Sequence, residues 1–445
     1  MNKISDEIDR APFHFSQTIL VALMIMALML DGLDVKLLSY VAPSILKEWH
    51  ISEAAFAPAL AAALFGMAIG ASAGGWMGDR WGRRKIIIGM LLLFALATIA
   101  ISRVENVALL ATLRLISGFG FGALTPNALA LATEWTPRRL QPRAIALLSA
   151  SSPLGGAAGA LIALWLIPSL GWRGCFLAVG AVTLMFALAI LGWIPESVVY
   201  LSTRGKVQRA QQAWRRMFGG GIPFDPPMQE QYPYDKARPV PYGKLFVRPL
   251  LRLNAGSFLC FFSGYYISYA FSSWLPLILT TSGFPITDAI HGSLAYNIMA
   301  IVGAMISGSF IARLGSRAVL SAAAIGSLLA LALLGMLLSS NGWEAQMTAM
   351  LALVGLCGIG AGLIASTVSA VVTTAYPVEM RATGVGFGIM AGRVGGIATT
   401  LGGGILLSIG KHDVRPLFLV LCLMCGVVIF SAFLIDRHIH RQIAS

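Results

Sequence analysis

Charge is scarce in this chain. Only 11% of its 445 residues are Asp, Glu, Lys or Arg, less than half of the roughly 25% usual in soluble domains, which excludes an ordinary soluble globular protein. Histidine and cysteine are few as well, at six and five residues. His14, His50, His291, His412, His438 and His440 fall mostly in loops or termini, and neither HExxH nor GxSxG occurs, so no enzyme constellation is visible and no cofactor or metal is expected. Cys422 and Cys425 form a CxxC inside an apolar run with no second pair nearby, and they read as packing residues. The net charge of +13 invites a nucleic-acid reading. Its distribution argues against one, because the basic residues cluster in loops between apolar runs.

What the chain has in excess is apolar sequence, at 57% hydrophobic residues and a mean hydropathy of +0.79. Runs of about 18 or more apolar residues recur along the whole length, which predicts spanning helices in a lipid bilayer rather than a membrane barrel. Twelve spans are placed at 17–42, 54–77, 86–102, 107–133, 143–169, 175–194, 252–280, 289–311, 318–339, 345–375, 382–409 and 415–436. Most Lys and Arg residues lie in the tails and alternate loops on the side of the N-terminus, whereas the opposite side holds only Lys47, Arg103, Arg173, Lys411 and Arg415. The positive-inside rule therefore predicts a multi-pass protein of the cell inner membrane with both termini cytoplasmic. No cleavable signal peptide is visible, since the first sixteen residues are polar and the following run is of full membrane length.

The expected organisation is an N-terminal six-helix bundle over 1–194, a cytoplasmic loop over 195–251, and a C-terminal six-helix bundle with its tail over 252–445. Within the loop, Arg204 to Phe218 reads as a basic amphipathic helix on the inner membrane surface. The stretch carrying Pro223, Pro226, Pro227, Pro233, Pro239 and Pro241 reads as irregular linker.

The halves repeat. Gly118, Gly120 and Gly122 recur as Gly358, Gly360 and Gly362, and Pro137 matches Pro377 at the same spacing. Gly75, Arg80, Gly82 and Arg84 likewise match Gly308, Arg313, Gly315 and Arg317. Duplicated six-span halves are a transporter architecture. The copies differ where Asp79, Arg114 and Glu134 face Ala312, Val354 and Thr374, so the acids are concentrated in the first half.

Asp31 and Asp34 lie inside the first apolar run, where each charge costs roughly 2.5–3.5 kcal/mol at the bilayer centre. Three residues apart, they share a helix face, and Lys36 points about 200° away from Asp34. Either an ion pair with another helix or a role in handling protons or substrate would account for them. Asp31 is about 21 Å from the cytoplasmic start at Gln17, and Arg114, entering from the other side, is about 10 Å deep, so the two approach a similar level. Arg393 falls about 16 Å into its span. A guanidinium there suits a carboxylate ligand, or it caps a structural acid. On the seventh span Phe258, Phe262, Tyr265 and Tyr269 form a stripe that is either a stacking wall for an aromatic ring or a packing or lipid-facing surface.

The loop Gly75-Trp-Met-Gly-Asp79-Arg80-Trp-Gly82-Arg83-Arg84-Lys85 resembles the loop signature of the major facilitator superfamily, and with twelve spans in two repeats the resemblance covers essentially the whole chain. Asp31-Gly-Leu-Asp34 with Ala42-Pro43 and Trp49, Arg114 with Pro126-Asn127 and Glu134, and Arg381-Ala-Thr-Gly384 with Gly392-Arg393-Val-Gly395 look like the aromatic acid/proton symporters within it. The resemblance implies transport roles for Asp31, Asp34, Arg114 and Glu134. Lys36 and Ala312 depart from the family pattern, in a charge gained and an acid lost.

The resulting expectation is a secondary active transporter that imports a small organic anion, most simply an aromatic carboxylate, with protons as the coupling ion. Asp31 and Asp34 would carry protons, and Arg114, Arg393, Tyr265 and Tyr269 would line the substrate. Asp79, Arg80, Arg84 and Glu134 would form the cytoplasmic gate. The chain is expected to function as a monomer in the bilayer. A carrier of sugars or aliphatic acids, a drug exporter and a non-transporting membrane sensor are the rival readings. Ser152-Pro153-Leu-Gly155-Gly156 only partly matches an antiporter motif, which counts against the exporter.

Overall fold

The computed structural model describes residues 3–11, 14–219, 247–339, 347–376, 381–409 and 413–439, all as helices and their connections. A short helix α1 (Lys3–Arg10) leads into α2 (Phe15–Trp49), α3 (Glu53–Trp81), α4 (Arg83–Ile101), α5 (Val107–Glu134) and α6 (Gln141–Ile190). Two surface helices follow, α7 (Val198–Thr203) and α8 (Val207–Phe218). The remaining spans are α9 (Leu251–Thr281), α10 (Ile286–Leu314), α11 (Ser316–Leu338), α12 (Met347–Ala375), α13 (Arg381–Ile409) and α14 (Arg415–Leu434).

Among the described residues, ten helices are long and apolar enough to cross a membrane. The twelve expected spans map onto these helices and α9. The 50 residues of α6 would extend about 75 Å as one straight helix, more than twice a hydrocarbon core of about 30 Å. Its backbone breaks at Gly171, with φ 63° and ψ −177°, where the expected fifth and sixth spans meet. At 31 residues α9 is long enough, but Ser257, Ser263, Ser268, Ser272 and Ser273 together with its tyrosines lower its hydropathy. The amphipathic helix expected at Arg204 to Phe218 is α8, and the proline-rich stretch that follows lies outside the described residues.

The chain sorts into two compact units, one comprising Met1–Val35, Ala62–Gly155 and Leu170–Lys236, the other Lys36–Ala61, Gly156–Ser169 and Ala237–Ser445. In the first, α4 packs on α5, and a core built from Met24, Phe94, Phe121 and Leu131 continues to Trp135 and Trp214. Trp214 and Phe218 of α8 lie 6.3 and 6.1 Å from Trp135 between ring centroids and fasten α8 to this core. In the second unit α10 packs on α12, α13 on α9, and α11 on α12 and α14. Tyr40 of α2 joins Ala160, Ala163 and Ile290 in a smaller cluster there.

The internal repeat is visible in the backbone. A Cβ added to Gly118 or Gly122 of α5 would lie 2.2 Å from the carbonyl oxygens of Ala63 and Met67 of α3, and one added to Gly358 or Gly362 of α12 would lie 2.4 and 2.0 Å from those of Tyr296 and Ala300 of α10. Both crossings need glycine for the same reason: the helix backbones touch. The turns after α3 and α10 match too, with Gly82 at φ 101° and Gly315 at φ 81°, a region that favours glycine.

Candidate functional site

In the first unit, α2 and α5 bring Asp34 and Arg114 together. Arg114 Nη1 donates to Asp34 Oδ2 at 2.5 Å, and the two side chains are 1% and 5% exposed for Arg114 and Asp34 respectively. The same nitrogen lies 3.4 Å from the carbonyl oxygen of Asp34. Gly32 allows this placement, because a Cβ there would meet the Ser152 carbonyl oxygen at 1.8 Å, and Gly155 meets α2 in the same way at Met29. The pair is only half satisfied: Asp34 Oδ1 and Arg114 Nε are buried with no hydrogen-bond partner. Thr98 of α4 lies beside the carboxylate, and its buried hydroxyl is also without a hydrogen bond. Asp31 sits on α2, but its side chain is outside the described residues.

A second cluster closes the end of this unit where α3 turns into α4. Arg83 forms a short ion pair with Glu134 and lies 3.8 Å from Asp79, which is 56% exposed. Sequence reasoning had favoured Arg80 and Arg84 here. Instead the guanidinium of Arg80 lies over the Trp76 ring at 5.3 Å, and Arg84 Nη2 donates to the Leu191 carbonyl oxygen at 2.5 Å. The turn at Gly82 resets the helical phase, so that Arg83 is the arginine facing Glu134. Glu196 completes the junction by accepting from the backbone N–H of Arg84 and of Ser197, each at 3.0 Å.

Two cations stand within spans of the second unit, Lys36 and Arg393. Lys36 Nζ donates to Ser272 Oγ at 2.6 Å and lies 5.8 Å from the centroid of the Tyr296 ring, which stacks on Phe271 at 4.9 Å. Gly156 makes room for the lysine stem: a Cβ there would be 3.1 Å from Lys36 Cγ. Tyr40 donates to the Gly156 carbonyl oxygen at 3.0 Å. On α13, half-buried Arg393 stands by Tyr265. Among the described residues neither Lys36 nor Arg393 has a carboxylate within ion-pair distance. The rings of Tyr265 and Tyr269 lie over Gly392 and Gly396, where an added Cβ would approach within 2.9 and 2.7 Å. They pack α9 on α13 while remaining half-buried. Lys36, Thr98 and Arg83 are the residues that sequence reasoning did not place in a site, and each has a decisive neighbour distant in sequence: Ser272, Asp34 and Glu134.

A profile described as Major Facilitator Superfamily matches residues 24–306 and 287–444. The chain belongs to the major facilitator superfamily. It is 31% identical to a gallate transporter of Pseudomonas putida over 413 residues, 92% of this chain and 89% of that protein. It is 29% identical to the 4-hydroxybenzoate transporter PcaK of Pseudomonas aeruginosa over 407 residues, 91% and 89% of the two chains. The structure superposes on a partially occluded inward-open form of the xylose transporter XylE from E. coli with a TM-score of 0.72 and 16% identity, covering 96% of this chain and 99% of that one. The last likeness concerns the fold. Family and relatives are transporters, which agrees with the multi-pass, all-helical architecture.

Proposed function

We propose that this protein imports a small aromatic carboxylate together with protons across the inner membrane, by alternating access and as a monomer with both termini cytoplasmic. The observation that carries the reading is the contrast between the units: Asp34 is clamped by Arg114, whereas Lys36 and Arg393 stand in spans with neutral neighbours only, among the described residues. A half-buried cation within a span that lacks an acid is an anion site in waiting. Lys36 receives the substrate carboxylate, with Ser272 as a second polar contact and the Tyr296 ring alongside. Tyr265 stands seven residues before Ser272 on α9, about 10 Å away along the axis, so Arg393 attracts anionic or phenolic oxygens from the far end of that face. The gallate and 4-hydroxybenzoate transporters support an aromatic acid as the substrate class.

The proton is carried by Asp34, with Asp31 as a second carrier. A proton on Asp34 weakens its hold on Arg114 and frees α2 from that clamp. Asp34 and Lys36 are two residues apart on one helix, so the helix the proton releases is the helix that holds the anion. Segments 1–194 and 252–445 are the halves that move, joined by 195–251. Arg83, Glu134 and Asp79 hold the cytoplasmic end, with Arg80 and Arg84 bracing it through Trp76 and Leu191. One proton per monoanion is electroneutral, so drive from the membrane potential requires more than one proton per anion, which two acids make possible.

The test is uptake of radiolabelled benzoates, phenylpropanoates, sugars and aliphatic acids into proteoliposomes with and without an inward proton gradient. Proton-stimulated accumulation of an aromatic acid, lost in Asp34→Asn and weakened in Lys36→Gln, is the expected result. Accumulation of sugars or aliphatic acids alone would overturn the substrate assignment, and binding without accumulation would overturn transport.

A further inference from the structure

A cavity of about 780 Å³ belongs wholly to the first unit. It opens where α4 begins and α6 ends, under the amphipathic helix α8. Five cations line it, Arg84, Lys85, Lys206, Arg209 and Arg216, against the single carboxylate of Glu196. Glu196 is already taken up by backbone N–H groups. Lys85, Arg209 and Arg216 are exposed and have no hydrogen-bond or ion-pair partner among the described residues. The floor is apolar, formed by Ile88, Leu191, Leu201 and Ala213.

A second cavity of about 270 Å³ shares Pro195 and Arg216 with the first and is lined mostly by apolar side chains, among them Ile19, Leu20, Leu23, Trp193 and Met217. Ile19 to Leu23 belong to the first turns of the α2 span, and Trp193 is 66% exposed, as suits a ring at the membrane interface. A basic basin at the level of the headgroups thus runs into an apolar slot at the level of the acyl chains. Soluble anions have no use for the slot, and zwitterionic lipids have little for the basin.

We propose that this composite groove binds an anionic phospholipid of the adjoining leaflet, with the phosphodiester held by Arg209, Arg216 and Lys85 and an acyl chain in the slot beside Leu23. The α8 helix is thereby a lipid-reading element, docked to the bundle by Trp214 and Phe218 and free to present its basic face. The assignment does not depend on what the protein transports.

The test is native mass spectrometry of the delipidated full chain titrated with dioleoyl phosphatidylglycerol, dioleoyl phosphatidylethanolamine or glycerol 3-phosphate. The wild type is expected to bind phosphatidylglycerol at least tenfold more tightly than phosphatidylethanolamine, with glycerol 3-phosphate weaker still. Arg209→Gln/Arg216→Gln should bring the lipid preference below threefold, while the charge-matched control Arg252→Gln/Arg313→Gln keeps it. Leu23→Trp, which fills the slot, should weaken phosphatidylglycerol binding without changing that of glycerol 3-phosphate. An unchanged preference in Arg209→Gln/Arg216→Gln, an equal loss in the control, or glycerol 3-phosphate binding as tightly as the lipid would each overturn the proposal. Monodisperse elution of every variant separates loss of binding from loss of fold.

Discussion

Arg114 Nη1 and Asp34 Oδ2 meet at 2.5 Å in a buried ion pair that leaves one oxygen of the acid and one nitrogen of the base unpartnered. Breaking such a pair from one side is expensive, about 3–5 kcal/mol, because the other charge stays buried. Asp34→Asn is therefore expected to lower thermal stability in detergent markedly, and Asp34→Asn/Arg114→Met to recover most of it. Neither variant should accumulate substrate in response to a proton gradient. Scanning fluorimetry beside proteoliposome uptake checks both statements; full proton-driven accumulation by the double variant would remove Asp34 from the coupling site.

A neutral Asp34 carboxyl leaves the Arg114 guanidinium with a weaker partner. Thr98 is a further polar group beside the Asp34 carboxylate, so it bears on the acid that takes the proton. Thr98→Val is expected to leave the fold intact and to change the pH dependence of uptake while preserving counterflow exchange. A pH profile identical to the wild type would limit Thr98 to packing.

Lys36 gives a prediction of the opposite sign for stability. Its partners are a hydroxyl and an aromatic face, so replacing it removes a half-buried cation that no acid among the described residues compensates. Lys36→Met should be as stable as the wild type or more so, yet raise KM for an aromatic acid by roughly tenfold or more, equivalent to about 1.4 kcal/mol for each factor of ten. Uptake kinetics and melting temperature measured on one preparation test this. An unchanged KM would move the carboxylate away from Lys36.

Much of this was legible from residue order, and the remainder was hidden for definable reasons. Span boundaries follow from apolar run length, and depth counted along α2 and α5 brought the acids of α2 near the level of Arg114. The partner that closes on Asp34, rather than an incoming anion, depends on helix rotation that counting does not give. Lys36 looked like a departure from family pattern, a charge gained, and its partners Ser272 and Tyr296 are far away in sequence. The aromatic stripe on α9 could be a wall or packing; Gly392 and Gly396 on α13 receive two of its rings, a pairing that becomes visible only once the helices are side by side.

The junction of α3 and α4 shows the same limit at shorter range. Three consecutive basic residues follow Gly82, and its φ of 101° decides which one reaches Glu134. Arg83→Gln is expected to slow transport at least tenfold by leaving Glu134 without its cation, and the swap Arg83→Glu/Glu134→Arg to restore part of the rate. Arg80→Gln should cost less, since its contact is an exposed ring worth about 0.5–1 kcal/mol. Initial rates in proteoliposomes distinguish these outcomes. If Arg80→Gln proved as damaging as Arg83→Gln, the gate would rest on the basic loop as a whole rather than on the ion pair.

Gly32 tests whether the approach of α2 to α6 is structural or functional. A methyl group at this position would meet the Ser152 carbonyl oxygen at 1.8 Å, far inside contact distance, and helix backbones cannot yield as a side-chain tip can. Gly32→Ala is therefore expected to force α2 away from α6, displacing Asp34 from Arg114 along with it. Reduced melting temperature and lost uptake should appear together, whereas Gly89→Ala on α4, where an added Cβ meets nothing within 4 Å, should leave both unchanged. A Gly32→Ala protein with native stability but no uptake would instead mean that α2 slides on α6 during transport and that the close contact is needed only in some steps of the cycle.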